Sequence, residues 1–93
     1  MFHIEDELHA EYIANFSSMQ EAILELIRIA KIPWDKAPNR APCISWRGCA
    51  RKYVINEFDI TTKPWKQLKR INALSVDHSG QNWDPEFISK LNL

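Results

Sequence analysis

The sequence predicts an α+β fold, a two-layer sandwich in which one long helix packs on one face of a small, mostly antiparallel sheet. Three observations predict this fold. Apolar and polar residues alternate over residues 8–16, apolar residues recur at helical spacing over residues 19–31, and two more strand-like stretches occupy residues 53–60 and 70–78. The expected element order is β-α-β-β-(β)-α. Ninety-three residues suit a single domain, 1–93, with a small core.

The N-terminal third of the chain predicts an acidic, frayed lead-in over residues 1–7, then a strand and the long helix. The alternation from Leu8 to Phe16 is typical of a half-buried strand. Ser18 with Glu21 three residues later forms a capping-box sequence, which predicts that the helix begins at this point. Pro33 predicts that the helix ends near residue 31.

The C-terminal half predicts strands 53–60 and 70–78 with a short helical turn over residues 64–68, which begins with a proline. Ser79 and Gly80 indicate a tight turn, followed by a short edge strand over residues 81–83. Asp84 is expected to cap a terminal helix. Trp65 and Trp83 are expected at the edges of the core.

The loop from residue 33 to residue 52 has neither helical nor strand periodicity, yet it holds both cysteines, two of the four tryptophans and three of the five prolines. Trp34, Ile44 and Trp46 are costly to leave in water, so the loop is expected to be ordered against the body of the domain. Two interpretations stay open. The loop is a rigid connector, or it presents a binding surface with arginines 40, 47 and 51.

Charge is unevenly distributed along a chain whose net charge is zero. Residues 1–27 contain six acids and no lysine or arginine, whereas residues 28–74 contain eleven bases and three acids. This asymmetry predicts either a bipolar surface that steers a charged partner or mutual neutralisation of the two segments across the fold.

No apolar run approaches the roughly 20 residues that span a bilayer, and the N-terminus lacks the pattern of a signal peptide. The expectation is therefore a cytoplasmic protein with no membrane partner.

Cys43 and Cys49 have five residues between them, which is not the spacing of a zinc-binding pair. Two reduced thiols are expected, and the alternative is a thiol-based sensor in which Arg47, Arg51 and Lys52 lower a thiol pKa. The sequence has no glycine-rich phosphate loop and no nucleophile elbow. We therefore expect no enzymatic activity, no catalytic residues, no cofactor and no metal.

Nucleic acid is an alternative partner, because arginines can bind phosphate and aromatic rings can stack on bases. The residues that would do so in this chain are Arg40, Arg47, Arg51 and Lys52 with Trp46 and Tyr53. The absence of a net positive charge argues against this alternative.

One group of motifs resembles a family of small bacterial proteins over most of the chain. The matching residues are Ile32-Pro33-Trp34-Asp35, Pro38-Asn39-Arg40-Ala41-Pro42-Cys43, Ser45-Trp46, Cys49, Tyr53, Ile55, Glu57, Asp59 and Pro64-Trp65. This resemblance implies no particular activity. In size and single-domain build the chain is also similar to bacterial immunity proteins, including those of contact-dependent inhibition, which neutralise toxins.

The expected function is therefore that of a non-enzymatic protein-binding module, an immunity protein that masks the active site of a cognate toxin. A nuclease toxin presents a basic surface, so acidic residues would meet it, and the loop from residue 33 to residue 52 would be the rigid part that determines the shape of the contact. The expected partner-binding residues are Glu5, Asp6, Glu7, Glu11, Arg40, Trp46, Arg47, Arg51, Glu57 and Asp59.

Overall fold

Five antiparallel strands form one sheet in the computed structural model, which describes residues 1–40 and 50–91. The order across the sheet is β2-β1-β3-β4-β5, and the α+β class expected from the sequence is confirmed. The elements are β1 (Phe2–Asp6), β2 (Glu11–Phe16), α1 (Met19–Ala30), β3 (Arg51–Asp59), β4 (Lys66–Asp77), β5 (Gly80–Trp83) and α2 (Pro85–Leu91).

The N-terminal residues are the main correction to the predicted order, because the expected frayed lead-in is strand β1. This strand lies between β2 and β3 and pairs with both. Its Phe2 and Ile4 alternate with His3 and Glu5, so one face enters the core and Ile4 is fully buried. The strand predicted from residue 8 begins only at Glu11, since residues 7–10 form the turn of the β1–β2 hairpin.

Helix α1 lies where the sequence predicts it. The Ser18 hydroxyl accepts a hydrogen bond of 3.2 Å from the Glu21 amide, which satisfies one amide of the first turn. The buried residues of the helix are Ala22, Leu26, Ile29 and Ala30. They pack in one cluster with alternate residues of three strands, namely Ile4, Tyr53, Ile55, Leu74 and Val76. The core therefore lies between α1 and one face of the sheet.

The prediction of a helical turn over residues 64–68 is wrong, because strand β4 already begins at Lys66. Residues 66–69 pair with residues 57–59 of β3, with an irregularity in the register between Glu57 and Phe58. Strand pairing with β3 thus outweighs the local helical tendency.

The predicted cap of the terminal helix is confirmed. Oδ1 of Asp84 accepts hydrogen bonds from the amides of Glu86 and Phe87. Phe87 is buried, and its ring stacks on Trp83 with a centroid separation of 6.0 Å. Helix α2 therefore packs on the same core as α1 through Phe87.

The first part of the long loop is fixed to the body of the domain through Asn39. The Asn39 side chain is buried and donates hydrogen bonds to the carbonyls of Ile29 and Ile32 at the end of α1. Its Oδ1 accepts a hydrogen bond of 2.7 Å from the Tyr53 hydroxyl. Trp34 is half-buried against the core. Residues 33–40 are thus ordered, as expected, whereas Ile44, Trp46 and both cysteines lie outside the described residues.

Replacing Asn39 with alanine should lower the free energy of unfolding by about 1–3 kcal/mol, because buried polar groups would lose their partners. Urea denaturation followed by tryptophan fluorescence measures this loss. The matched control is Asn82→Ala, which removes an exposed side chain of β5 and should have little effect. Equal losses in the two variants would show that Asn39 does not anchor the loop.

Candidate functional site

The face of the sheet opposite α1 carries a cluster of aromatic rings. We call this the open face, since both described helices bury their apolar residues against the other side. The His3 ring centre lies 5.4 Å from Tyr12, 4.7 Å from Phe58 and 5.7 Å from Trp65. Tyr12 is 57 % exposed and Trp65 is 43 % exposed. These four residues form the aromatic cluster, and its two largest rings are available to a partner.

A second group on the open face, the polar cluster, consists of Glu5, Glu7, Lys52, Asn56 and Arg70. The Arg70 guanidinium donates to Glu5 at 3.0 Å, to Glu7 at 2.9 Å and to Oδ1 of Asn56 at 3.2 Å. Nζ of Lys52 lies 3.1 Å from Glu7. Three neighbouring strands, β1, β3 and β4, are thereby joined by side chains.

Arg70 reaches across a whole strand to make these contacts. It lies on β4, whereas Glu5 and Glu7 extend from β1, and β3 runs between the two strands. Because neighbouring strands are about 4.8 Å apart, its side chain must pass over β3. This path explains why Val54 and Asn56 of β3 are buried although no helix covers them among the described residues.

At the end of the β1–β2 hairpin lies the anchor cluster, which consists of Asp6, His9, Glu11 and Arg51. Asp6 is 0 % exposed, and its two oxygens accept four hydrogen bonds from donors that include the amides of Leu8 and Lys52. Nη1 of Arg51 lies 2.8 Å from Asp6 and 2.6 Å from Glu11. A buried ion pair of this kind needs such additional hydrogen bonds to offset the loss of hydration.

Burial alone would raise the pKa of the Asp6 carboxyl. The hydrogen bonds from Arg51, from the Lys52 amide and from His9 outweigh burial, so the pKa is lowered from its ordinary value. Asp6 is therefore ionised at neutral pH. It joins the hairpin turn to the start of β3, and through Arg51 it also joins both of them to residue 40. Nη2 of Arg51 donates to the Arg40 carbonyl at 2.8 Å.

For two of the expected partner-binding residues, Asp6 and Arg51, the expectation has to be corrected. Asp6 and Arg51 are buried, at 0 % and 3 % exposure, and bonded to each other. Neither side chain is free to contact a partner, and Arg51 is lost as a phosphate ligand for the nucleic-acid alternative. Their role is to stabilise the fold.

The other expected acids of the N-terminal segment lie near the surface but are paired. Glu5 and Glu7 belong to the polar cluster, and the exposed Glu11 binds Arg51. Of the two interpretations of the uneven charge, mutual neutralisation across the fold is confirmed for these residues.

The remaining expected contact residues are spread over the molecule. Glu57 and Asp59 are half-buried on β3, and Oδ1 of Asp59 accepts hydrogen bonds from the amide and hydroxyl of Thr61. Arg40 is exposed. Trp46, Arg47 and both cysteines, which were also singled out from the sequence, lie outside the described residues.

The aromatic cluster was not among the sites expected from the sequence. Its signal was present, because Phe2-His3-Ile4-Glu5 alternates like a strand, which places His3 on the face opposite the core. No local pattern predicts that Trp65 lies next to His3, because the two residues are 62 positions apart in the sequence.

Two structural features are absent from residues 1–40 and 50–91. No group of three or more potential ligands there is arranged to hold a metal ion. Neither described helix has the length and apolar character needed to cross a bilayer.

His3 should make stability depend on pH. Burial, with the nearby N-terminal ammonium, lowers its pKa below the ordinary 6.5, and its Nε2 has no hydrogen-bond partner among the described residues. Since the folded state resists protonation, the free energy of unfolding should fall as the pH drops below about 6.5.

The measurement is the urea midpoint between about pH 7.5 and about pH 5, above the range in which Asp6 and Glu7 titrate. His3→Phe keeps an aromatic ring and should reduce the loss of stability on acidification. If His3→Phe and the unmodified chain lose stability equally, then protonation of His3 does not cause the loss of stability.

Arg51→Met keeps a long side chain but leaves the buried Asp6 carboxylate without its cation. We expect a loss of about 3–5 kcal/mol in the free energy of unfolding, measured by urea denaturation. Arg28→Met is the matched control, because it breaks an exposed ion pair with Glu25 and should cost little. Similar losses in both variants would contradict a structural role for the anchor cluster.

No protein-family model, no curated protein and no solved structure matches this chain, so its function has to be inferred from the geometry of its own residues.

Proposed function

We propose that this protein is a non-enzymatic protein-binding module that contacts its partner through the open face of the sheet. The observation that supports this function best is the exposure of Tyr12 and Trp65 beside a neutralised polar cluster. Aromatic residues are enriched at the centres of protein interfaces, where they supply large contact areas at a small entropic cost.

The arrangement of charge on the open face fits this function. Arg70 is held by Glu5 and Glu7, so its guanidinium is fixed before a partner arrives. A fixed polar group loses less entropy on binding than a free one. The polar cluster thus acts as a rim that sets orientation, and the aromatic cluster supplies most of the binding free energy.

Masking the active site of a cognate toxin is the form of binding that we propose. The acids of the N-terminal segment do not form a free anionic patch, because the carboxylates of Glu5, Glu7 and Glu11 are already paired. The partner is therefore recognised by shape and by the aromatic rings, and charge steers the encounter less than a bare acidic surface would.

The decisive experiment is affinity capture from the cells that make the protein, with three forms of the tagged chain as bait. Trp65→Ala should reduce recovery of the partner at least about tenfold, since central aromatic residues dominate interface energies. Leu24→Ala removes an exposed apolar side chain of α1 and should leave recovery unchanged. The isolated partner is then expressed alone and with this chain, and co-expression should restore growth.

Capture of no protein, or equal recovery with Trp65→Ala, would contradict binding through the open face. Retention of the purified chain on heparin at low salt, lost on raising the salt, would favour nucleic acid as the partner instead.

A further inference from the structure

Within residues 1–40 and 50–91, about half of strand β4 has no neighbouring strand on its outer side. Strand β5 pairs only with Leu74–Asp77 of β4, and the Asp84 amide donates to the Ala73 carbonyl just beyond this pairing. Among the described residues, no strand lies on the outer side of residues 66–72. A strand edge of this length exposes several backbone amides and carbonyls that a further strand can pair with.

The side chains of this edge are basic. Residues 66–72 include Lys66, Lys69 and Arg70 but no acid. Arg70 is occupied by the polar cluster, whereas Lys66 and Lys69 are exposed and form no ion pair with any residue in 1–40 or 50–91. They lie opposite Asp59 and Glu57 of β3 in the register. Leu68 between the lysines is 50 % exposed.

A groove of about 500 Å³ runs along the C-terminal end of the same edge, between β4 and α2. Ile71, Pro85 and Phe87 contribute its apolar surface. The polar residues that line it are Arg70, Asn72, Asp84, Glu86 and Lys90. A smaller apolar cavity of about 170 Å³ adjoins it where Met19 and Ile23 of α1 meet Ile71 and Phe87. An apolar side chain that enters the groove from the edge would therefore meet the core of the domain.

We propose that the edge formed by residues 66–72 binds an extended, acidic segment of another protein, which adds a strand beside β4. Backbone hydrogen bonds supply affinity in this mode of recognition, and pockets for alternate side chains supply specificity. Acidic residues of the segment meet Lys66 and Lys69, and an apolar residue beyond them enters the groove beside Ile71. The edge shares Arg70 with the polar cluster, but it would bind through its backbone and not through the aromatic rings, so the inference does not depend on the proposed function.

Lysines on an edge strand also protect proteins against unwanted strand pairing. That protective role predicts that no added strand binds, whereas the proposal predicts that a segment of opposite charge does. A peptide of matched composition can therefore distinguish the two.

The test uses the full, isotope-labelled chain and a capped peptide of about ten residues in which glutamate alternates with valine or isoleucine. Backbone amides that point outward from residues 66–72 should show chemical-shift changes, and their hydrogen exchange should slow at least about tenfold. The same peptide with lysine in place of glutamate should bind at least about tenfold more weakly. Reversing the edge charge with Lys66→Glu and Lys69→Glu together should invert this preference.

A third peptide has the acidic sequence with every backbone nitrogen methylated, so it keeps the charge but has no backbone N–H to donate along either edge. Equal binding of this peptide would overturn the proposal, as would changes confined to residues outside 66–72. Slow exchange of the same amides in the free chain, with a doubled mass at high concentration, would show that a second copy covers the edge and would also overturn it. Leu24→Ala, an exposed position on α1 away from this edge, serves as the control and should leave binding of the acidic peptide unchanged.

Discussion

The carboxylate of Asp6 is the group on which the arrangement of this fold depends most. It is completely buried, and each of its four hydrogen bonds comes from a different residue, in the hairpin turn or at the start of β3. Arg51, its cationic partner, also binds the carbonyl of Arg40. One buried charge thus joins the hairpin, the central strand and the segment that follows α1. An unpaired charge at this depth would be so unfavourable that these parts must assemble together.

The same pairing of opposite charges decides which surfaces remain for a partner. The acids of the first strands are bound by Arg51, Lys52 and Arg70, so the uneven charge of the sequence largely cancels in space. Where charge is neutralised, the exposed aromatic rings become the distinctive feature of the open face. Where lysines lack carboxylate partners among the described residues, at positions 66 and 69, a basic strip remains on the sheet edge.

Local patterns were sufficient for the elements whose own residues determine them. The apolar spacing of α1, the Ser18 cap and the Asp84 cap all depend on neighbours within one or two turns, and the structure has each of them. The first strand was missed because only five residues form it, and its stability comes from pairing on both sides. The segment around Trp65 was assigned to a helical turn because proline at its start favours one, and strand pairing at residues 66–69 prevails.

The functional surfaces were harder to predict than the fold, since they depend on contacts between distant parts of the chain. His3 meets Trp65 across 62 residues, and Arg70 meets Glu5 across 65. A pattern of residue types predicts which face a side chain occupies, but not which neighbour binds it. Asp6 and Arg51 were therefore expected to contact a partner because they are charged. In the structure they are buried and form an ion pair with each other.

The two candidate surfaces meet at one point in the chain. Trp65 belongs to the aromatic cluster, and the next residue, Lys66, begins the free edge of β4. A partner strand that pairs with this edge would continue the plane of the sheet beyond β4, so another part of the partner would have to reach over the open face to meet the aromatic rings. Edge pairing would then fix the partner's register, and the aromatic rings would add apolar contact across the adjoining face. Recognition by both surfaces together would require a partner with an acidic edge strand and an apolar surface on that other part, a combination more selective than either feature alone.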